Sequence, residues 1–191
     1  MQYSNKREKT RSKIIEAYAK LLRQKKFSQI TVRDVCTVAD INRSTFYTYF
    51  QDTIELEETL EDNIRQDVVK LVSEHIHSLE DIQAETVIPI FADIFRSYDN
   101  LPIYIIKNAQ GAFHINLGNT IIDVIKAIEI DESSHHTDTI MQYARYHIAG
   151  VTSLVSNLEF EDNTIDVDEL INIVVTAGTV GPITAIKKLL Q

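Results

Sequence analysis

The amino-acid sequence predicts an all-α protein, and two features of its pattern carry that prediction. Apolar residues recur at steps of three and four along most of the 191 residues, which is the spacing of one buried face of a helix. Only five glycines and three prolines are present, too few for a β protein with many tight turns. Hydrophobic residues make up 44% and charged residues 25%, a composition typical of globular proteins and not of disordered or fibrous ones.

Three helices are predicted in the first 50 residues. The first runs from Lys9 to Gln24, with apolar side chains on one face and lysines and arginines on the other. Thr31 is the expected N-cap of a short second helix, and Asn42 is the expected N-cap of a third. In the turn between them Asp40 stands where glycine is more usual, and aspartate tolerates a positive φ. These segments predict a helix-turn-helix with a supporting helix before it.

The rest of the chain predicts further helices. Asp52 or Thr53 can cap a long fourth helix that runs to about His75, and glutamates in its first turns favour its N-terminus. Gly178 and the Gly181-Pro182 pair predict a kink or a break in the last helix. The helices after the fourth are predicted at about 83–98, 102–111, 115–130, 137–158 and 166–190.

The formal net charge of −9 is the sum of two segments of opposite sign. Residues 1–50 contain 11 lysines and arginines and four acidic residues, a net of +7. The remainder contains 8 basic and 24 acidic residues, a net of −16. This asymmetry indicates a basic binding module on an acidic body, although a solvated basic tail gives the same pattern. We expect one domain over residues 1–52 and a second over residues 53–191.

Several classes of protein and site find no support. The single cysteine, Cys36, permits neither an internal disulfide nor a cysteine-rich zinc site, and it favours a reducing, cytoplasmic compartment. We expect no signal peptide, because no apolar region follows the basic N-terminus. The uncharged stretch 170–186 is too rich in polar residues and glycine to span a membrane. Nucleotide-binding loops, nucleophile elbows and metal-ligand spacings are absent, so no catalytic, cofactor or metal residues are predicted.

The third predicted helix carries side chains that can read DNA. In a helix-turn-helix, the second helix of the pair lies in the major groove and presents its N-terminal side chains to base edges. Arg43 can bind guanine O6 and N7, and Ser44 and Thr48 can hydrogen-bond bases. Phe46 and Phe50 are interpreted as core residues. Phosphate oxygens are the expected partners of three further hydroxyls, those of Thr45, Tyr47 and Tyr49.

The stretch ITVRDVCTVADINRSTFYTYFQDTIEL, residues 30–56, resembles the DNA-binding signature of the tetracycline-repressor (TetR) family of bacterial transcriptional regulators. Its most specific part is the aromatic sequence F-Y-x-Y-F after an A-x-I turn. With the preceding helix, the resemblance covers roughly residues 8–60. It implies an all-helical homodimer that binds a palindromic operator in double-stranded DNA. The C-terminal domain of such proteins dimerises and often holds a small-molecule effector that releases the repressor.

By position, the resemblance implies roles for individual residues of the first domain. The residues that would face bases are Arg33, Arg43, Ser44 and Thr48. Those that would face phosphates are Thr31, Thr45, Tyr47 and Tyr49. The family commonly has lysine at the start of the fourth helix, where the Thr53 hydroxyl and the helix N-terminus would meet the phosphate here. A basic N-terminal arm would supply the missing charge along the DNA backbone or in the minor groove: Lys6, Arg7, Lys9 and Arg11.

The C-terminal helices suggest a dimer interface and a ligand pocket. Residues 137–158 and 166–190 are apolar on more than one face, so they can contact a second subunit or form the core of a larger monomer. The residues expected at a two-fold interface are Ile140, Ala144, Ile148, Val151, Val155, Ile171 and Val175. The candidate pocket residues are polar aromatic side chains in otherwise apolar helices: Tyr98, Tyr104, His114, Tyr143, Tyr146 and His147.

These observations predict a dimeric DNA-binding repressor in the bacterial cytoplasm, associated with the nucleoid and without enzymatic activity. The alternative is a helical ligand-binding or adaptor protein whose basic N-terminal segment contacts a protein partner. The two hypotheses differ in a measurable way, because binding to DNA phosphates weakens steeply as the salt concentration rises.

Overall fold

The computed structural model describes residues 2–78, 81–108, 123, 137–156, 166–178 and 181, and all regular elements in these ranges are helical. The prediction of an all-α protein is therefore confirmed. The predicted helix at 115–130 lies outside the described residues except for Asp123, which is helical. The helices are α1 Gln2–Leu22, α2 Val32–Ala39, α3 Arg43–Tyr47, α4 Thr53–His75, α5 Ala84–Ser97, α6 Leu101–Asn108, α7 Thr137–Ser156 and α8 Val167–Gly178, with a 3-10 turn at Phe27–Gln29.

Helix α1 is longer than the sequence pattern predicts. It begins at Gln2 and not at Lys9, so the four basic residues predicted to form an arm belong to a regular helix. The apolar periodicity that located the helix is absent before Lys9, but the first residues include no glycine, proline or β-branched side chain. Such residues continue a helix at little cost once the following turns have formed.

The chain divides into two compact units, Met1–Ile64 and Arg65–Gln191. In the first unit α1 packs against α2, and α2 packs against α3. Its core contains fully buried side chains from four helices: Ile14, Tyr18, Val35, Phe46 and Leu56. The division falls within α4, because Leu56 and Leu60 near the start of that helix are buried in the first unit.

The second unit contains two apolar clusters. In one, the end of α4 packs with α5 and α8 around Val72, Ile90 and Val175. In the other, α6 packs with α7 and α8 around Ile103 and Val155. Burial of this kind stabilises a fold by about 25 cal/mol for each Å² of apolar surface removed from water.

Most of the residues predicted at a dimer interface lie in these clusters and not on a free surface. Ile148, Val155, Ile171 and Val175 are buried by the helices of their own unit, and Val151 is half-buried. For Ile140 and Ala144 the side chains lie outside the described residues. Both faces of these helices are apolar in sequence, and periodicity alone does not tell which face the protomer itself buries. No helix in the described ranges has the length and apolar composition that a membrane span requires.

Candidate nucleic-acid interface

The turn between α2 and α3 has the geometry that the sequence predicts. Asp40 adopts the left-handed conformation, with φ 49° and ψ 55°, and its backbone N–H donates to the carbonyl oxygens that end α2. The Ile41 N–H donates to the Cys36 carbonyl at 3.0 Å, which completes the reversal of the chain. Ala39 is buried at the crossing, where a larger side chain would separate α2 from α3. This turn fixes the direction of α3 relative to α2.

A capping box fixes the start of α2. The Thr31 side chain accepts from the Asp34 N–H at 3.2 Å, and the Asp34 carboxylate accepts from the Thr31 N–H at 3.0 Å and its hydroxyl at 2.8 Å. Lys25 lies 3.2 Å from the same carboxylate. The hydrogen bonds from Thr31, followed by Lys25, lower the pKa of Asp34 to about 2. The Thr31 proton is thus donated within the protein, although the resemblance assigns this hydroxyl to a phosphate.

Helix α3 presents a buried aromatic face and an exposed polar face. Phe46 and Phe50 are buried, as predicted, with ring centroids 6.0 Å apart. Tyr47 packs edge-on against Phe46 at 5.5 Å between centroids, yet 56% of it remains exposed. The exposed residues of the polar face are Arg43, Ser44 and Thr48, while Tyr49 is half-buried. These side chains are placed where a helix in the major groove would present them to DNA.

Helices α1 and α2 carry exposed basic side chains. Arg33 is exposed on α2, and the resemblance implies that it contacts a base. The basic residues near the N-terminus of α1 are also exposed: Lys6, Arg7, Lys9 and Arg11. The Arg11 guanidinium lies 5.3 Å from the centroid of the Phe50 ring, a cation–π contact that brings the basic face of α1 next to the end of α3.

The N-terminus of α4 carries negative charge. The Asp52 carboxylate accepts from the N–H groups of Ile54 at 2.8 Å and Glu55 at 2.9 Å. The Glu55 carboxylate accepts from the Gln51 N–H at 2.6 Å. The Asp52 carboxylate therefore uses two of the backbone donors with which the helix N-terminus would bind phosphate, and together with Glu55 it repels an anion. The predicted phosphate contact of Thr53 is left to its own half-buried hydroxyl.

The chain has been compared with known proteins at the level of sequence and of structure. No protein-family model matches it, and no curated protein matches it. A TetR transcriptional regulator from Streptococcus agalactiae 2603V is similar in structure, with a TM-score of 0.60 and 18% identity over 93% of this chain and 98% of that one. A protein from Syntrophomonas wolfei str. Goettingen assigned to the TetR family has a TM-score of 0.60 and 18% identity, over 92% and 96% of the two chains.

The chain has the fold of TetR-family regulators. A third structure with this similarity is the dihydroxyacetone kinase operon activator DhaS, with a TM-score of 0.51 and 22% identity over 94% of this chain and 96% of that one. The likeness extends over nearly the whole length, whereas the resemblance in sequence is confined to the first 60 residues. The TetR fold therefore covers both units of the chain.

The residues predicted to line a ligand pocket in this TetR fold have different surroundings. Tyr143 and the 75% exposed Tyr146 line a cavity of about 370 Å³, together with Thr139, Gln142 and Gly181. The Tyr98 hydroxyl donates to Asp67 at 2.5 Å, and burial followed by this carboxylate raises the pKa of Tyr98. Tyr104 is half-buried, and His114 lies outside the described residues. Among the described candidates, Tyr143 and Tyr146 therefore share one cavity.

His147 of α7 lies against Gly178 of α8. A Cβ atom placed on Gly178 of α8 would lie 2.5 Å from Cε1 and 2.7 Å from Nε2 of this imidazole. The ring thus occupies the space that the glycine leaves free. Burial lowers the pKa of His147, so the ring is neutral at pH 7. Within the part of the chain that the structure describes, no three His, Cys, Asp or Glu side chains are placed to hold a metal ion.

The structure also reveals a buried polar cluster that the sequence pattern did not predict. Tyr18 of α1 is fully buried, and its hydroxyl finds no hydrogen-bond partner among the described residues. Burial, followed by Glu57 and Glu61 of α4, raises its pKa. Burial, with Glu61 and Glu58, also raises the pKa of Glu57 to about 7. The spacing of apolar residues in α4 indicates that Glu57 borders the buried face of this helix. It does not indicate that the Tyr18 side chain of α1 lies near Glu57.

Proposed function

We propose that the chain is a DNA-binding transcriptional regulator that acts as a homodimer on a palindromic operator and is released from it by a small-molecule effector. The observation that carries the proposal is α3 itself, which presents Arg43, Ser44 and Thr48 outward from a helix-turn-helix. The TetR fold supports it, since the similar structures include proteins named as transcriptional regulators. The proposal gives the protein no enzymatic activity and places it in the bacterial cytoplasm, at the nucleoid.

The distribution of charge supports DNA as the partner. The first 50 residues carry a net charge of +7, and several of their basic side chains are exposed around α3. The remaining residues carry −16 and would be repelled by phosphates. Opposite charges of this size attract the segment of residues 1–50 to the duplex and restrict the orientations in which the protein can bind. An adaptor that contacts a protein through the same residues would not require the hydroxyls of α3.

The proposed dimer needs an interface, and the exposed side chains of α7 and α8 provide the candidates. Tyr146 is 75% exposed and Ile173 is 47% exposed, whereas Ile148, Ile171 and Val175 of the same two helices are buried in the protomer. A two-fold interface is self-complementary, so one exposed apolar patch on each protomer suffices to build it. The two α3 helices of such a dimer must lie about 34–36 Å apart, or a multiple of this, to enter successive major grooves.

Selection of bound fragments from random duplex DNA, followed by titration at several salt concentrations, tests the proposal. We expect a palindrome with two half-sites and an affinity that falls linearly with salt on logarithmic axes. The Arg43→Ala, Tyr47→Ala double variant should bind at least tenfold more weakly, because it can bond neither the base nor the phosphate that these two side chains reach. Lys70→Ala is the matched control, since it removes an exposed positive charge from the second unit. Equal binding by the double variant and Lys70→Ala would contradict the proposal.

The basic N-terminal turns of α1 provide a second test. Replacing Lys6, Arg7 and Lys9 by glutamine should flatten the salt dependence by about 0.9 in logarithmic slope for each phosphate that α1 no longer neutralises. Substitution is preferable to truncation here, because these residues are part of a helix and not of a separate arm. An unchanged slope would show that α1 does not contact the DNA backbone.

A reporter gene under the selected operator decides the direction of regulation and the role of an effector. We propose repression, although DhaS, one of the similar structures, is named as an operon activator. Release by an effector corresponds to a coupling of about 1–3 kcal/mol, or a 5- to 150-fold loss of operator affinity. A rise in reporter expression when the gene for this protein is present would reject repression while leaving DNA binding intact.

A further inference from the structure

One side-chain oxygen organises the N-terminus of α3. Asn42 Oδ1 accepts three hydrogen bonds, from the Thr45 N–H at 2.7 Å, the Ser44 hydroxyl at 2.7 Å and the Thr45 hydroxyl at 2.8 Å. The first is the usual bond of an N-cap residue, and the other two are additional. The Thr48 hydroxyl, one turn further, donates to the Ser44 carbonyl at 2.9 Å. Three hydroxyls on the exposed polar face are therefore bonded within the helix.

The positions of the hydroxyl protons follow from this arrangement. A backbone N–H can only donate, so the Asn42 atom that receives it is the amide oxygen and not the amide nitrogen. A carbonyl oxygen has no proton, so the hydroxyls of Ser44 and Thr45 must be the donors toward it. Each of these hydroxyls has a single proton, and that proton points into the protein. What each presents to the outside is a pair of oxygen lone pairs.

We infer that Asn42 determines specificity by holding Ser44 and Thr45 as hydrogen-bond acceptors, so that α3 selects exocyclic amino groups in the major groove. The inference rests on the proposed DNA binding. Adenine N6 and cytosine N4 are the amino donors on the base edges of this groove. A phosphate oxygen only accepts, so it has no bond to form with these two hydroxyls unless they release Asn42. The phosphate contact that the resemblance implies for Thr45 is replaced by contact with a base.

The other polar side chains of α3 complement this arrangement. Arg43 offers only donors, which suit guanine O6 and N7. The hydroxyls of Tyr47 and Tyr49 have no partner in the described part of the chain, and their protons are available to phosphates. Donors and acceptors are thus separated along one short helix. When the Ser44 or Thr45 hydroxyl accepts from a base amino group, its own bond to Asn42 is kept. When it donates to a phosphate, the bond to Asn42 must break, and the free energy of that hydrogen bond is lost.

Base analogues in the selected operator test the inference at the level of single atoms. Purine replaces adenine, and 2-pyrimidinone replaces cytosine, at one position at a time, so that each duplex lacks one amino group. Because an analogue also weakens base pairing, the quantity compared is the loss of affinity in one protein variant relative to another. At the position that Ser44 reads, the full-length wild-type protein should bind the analogue duplex about three- to tenfold more weakly than the unmodified operator. The Ser44→Ala variant should show no such additional loss of affinity at that position. Thr45→Val should identify the position read by Thr45 in the same way.

Two substitutions of Asn42 separate hydroxyl orientation from helix capping. Asn42→Gly removes the acceptor but remains an acceptable N-cap, so the helix should persist while the sensitivity to the missing amino group falls below about twofold. Asn42→Asp keeps an acceptor at the same place. Its added charge should weaken binding to every duplex alike and preserve the ratio between operator and analogue. Circular dichroism of both variants verifies that α3 and its unit remain folded.

Three results would overturn the inference. One is a full loss of amino-group sensitivity in Asn42→Asp as well as in Asn42→Gly. Another is a wild-type protein whose Ser44- and Thr45-dependent positions respond to removal of guanine O6, by 2-aminopurine, and not to removal of an amino group. The third is Thr45-dependent sensitivity to a methylphosphonate in the backbone, which would restore the phosphate contact. A protein that binds no DNA fragment would instead refute the proposed function, and the inference with it.

Discussion

Replacing Gly178 by alanine should destabilise the second unit, because the new methyl group would enter space that the His147 ring already occupies. The ideal Cβ position lies 2.5 Å from Cε1 and 2.7 Å from Nε2 of the imidazole. Ordinary contacts between carbon atoms begin at about 3.5 Å, so the ring must move by about 1 Å or the helices must separate. The His147 ring is partly buried, which restricts its movement.

The expected change in the free energy of unfolding of Gly178→Ala is the sum of two opposing effects. Overpacking of a filled site costs about 1–3 kcal/mol, whereas alanine is favoured over glycine in a helix by up to about 1 kcal/mol. We therefore expect a net destabilisation of about 1–2 kcal/mol, which corresponds to a fall of about 2–8 °C in melting temperature for a chain of this size. Thermal and urea unfolding, followed by circular dichroism at equal protein concentrations, would measure it.

Two controls make this prediction specific. Gly150 is exposed in the interior of α7, and among the described residues an added Cβ there meets nothing within 4 Å. Gly150→Ala should therefore stabilise the protein by up to about 1 kcal/mol, through helix propensity alone. In a His147→Ala background, Gly178→Ala should lose its cost. The reasoning is refuted if Gly178→Ala is as stable as wild type, or if its cost persists after His147 has been removed.

Two further predictions concern pH. The raised pKa of Glu57, about 7 against an ordinary 4.5, means that the folded protein holds this proton more tightly, so stability should fall as pH rises through that window. Because Glu57 is only half-buried and solvent screens its charge, we expect a fall of about 1 kcal/mol. Glu57→Gln should abolish this fall in urea unfolding at pH 5 and 8, and the exposed Glu74→Gln should not. The pKa of Asp34, lowered by Thr31 and Lys25, means that its stabilisation is complete above about pH 4 and is lost toward pH 2. Asp34→Asn should remove this acid-dependent loss from thermal melts recorded between these values, and an unchanged profile would contradict the role of the capping box.

The local features of the helix-turn-helix were predictable because their causes lie within a few residues. Thr31 and Asn42 cap the helices that follow them, and each cap depends on a hydrogen bond to the residue three positions on. Asp40 takes the left-handed turn that its short polar side chain tolerates. The aromatic residues Phe46 and Phe50 were correctly predicted to be buried, since they lie four apart and one helical turn, closed by the Phe50 N–H bond to the Phe46 carbonyl, places them on the same side.

Other features depended on partners that are distant in the chain. The apolar pattern of α7 did not show whether Ile148 or Tyr146 faces the core, since both sides of that helix carry apolar groups. The polar cluster of Tyr18 and Glu57 joins two helices that are far apart in sequence, and a one-dimensional pattern does not reveal such a pair. The extension of α1 to Gln2 was missed because an exposed helix has no apolar period to detect.

The sequence by itself determined the all-α class, the helix-turn-helix and the opposite charges of the two segments, because composition, periodicity and capping act locally. Only the tertiary structure decided which faces of the C-terminal helices are buried, and that Tyr18 of α1 lies near Glu57 of α4. The folded geometry at the start of α3 also decided which way the hydroxyls of Ser44 and Thr45 point their protons. A hydroxyl can donate or accept a hydrogen bond, and its position in the sequence does not determine which. The direction is determined when the fold brings a fixed acceptor such as Asn42 Oδ1 within 3 Å.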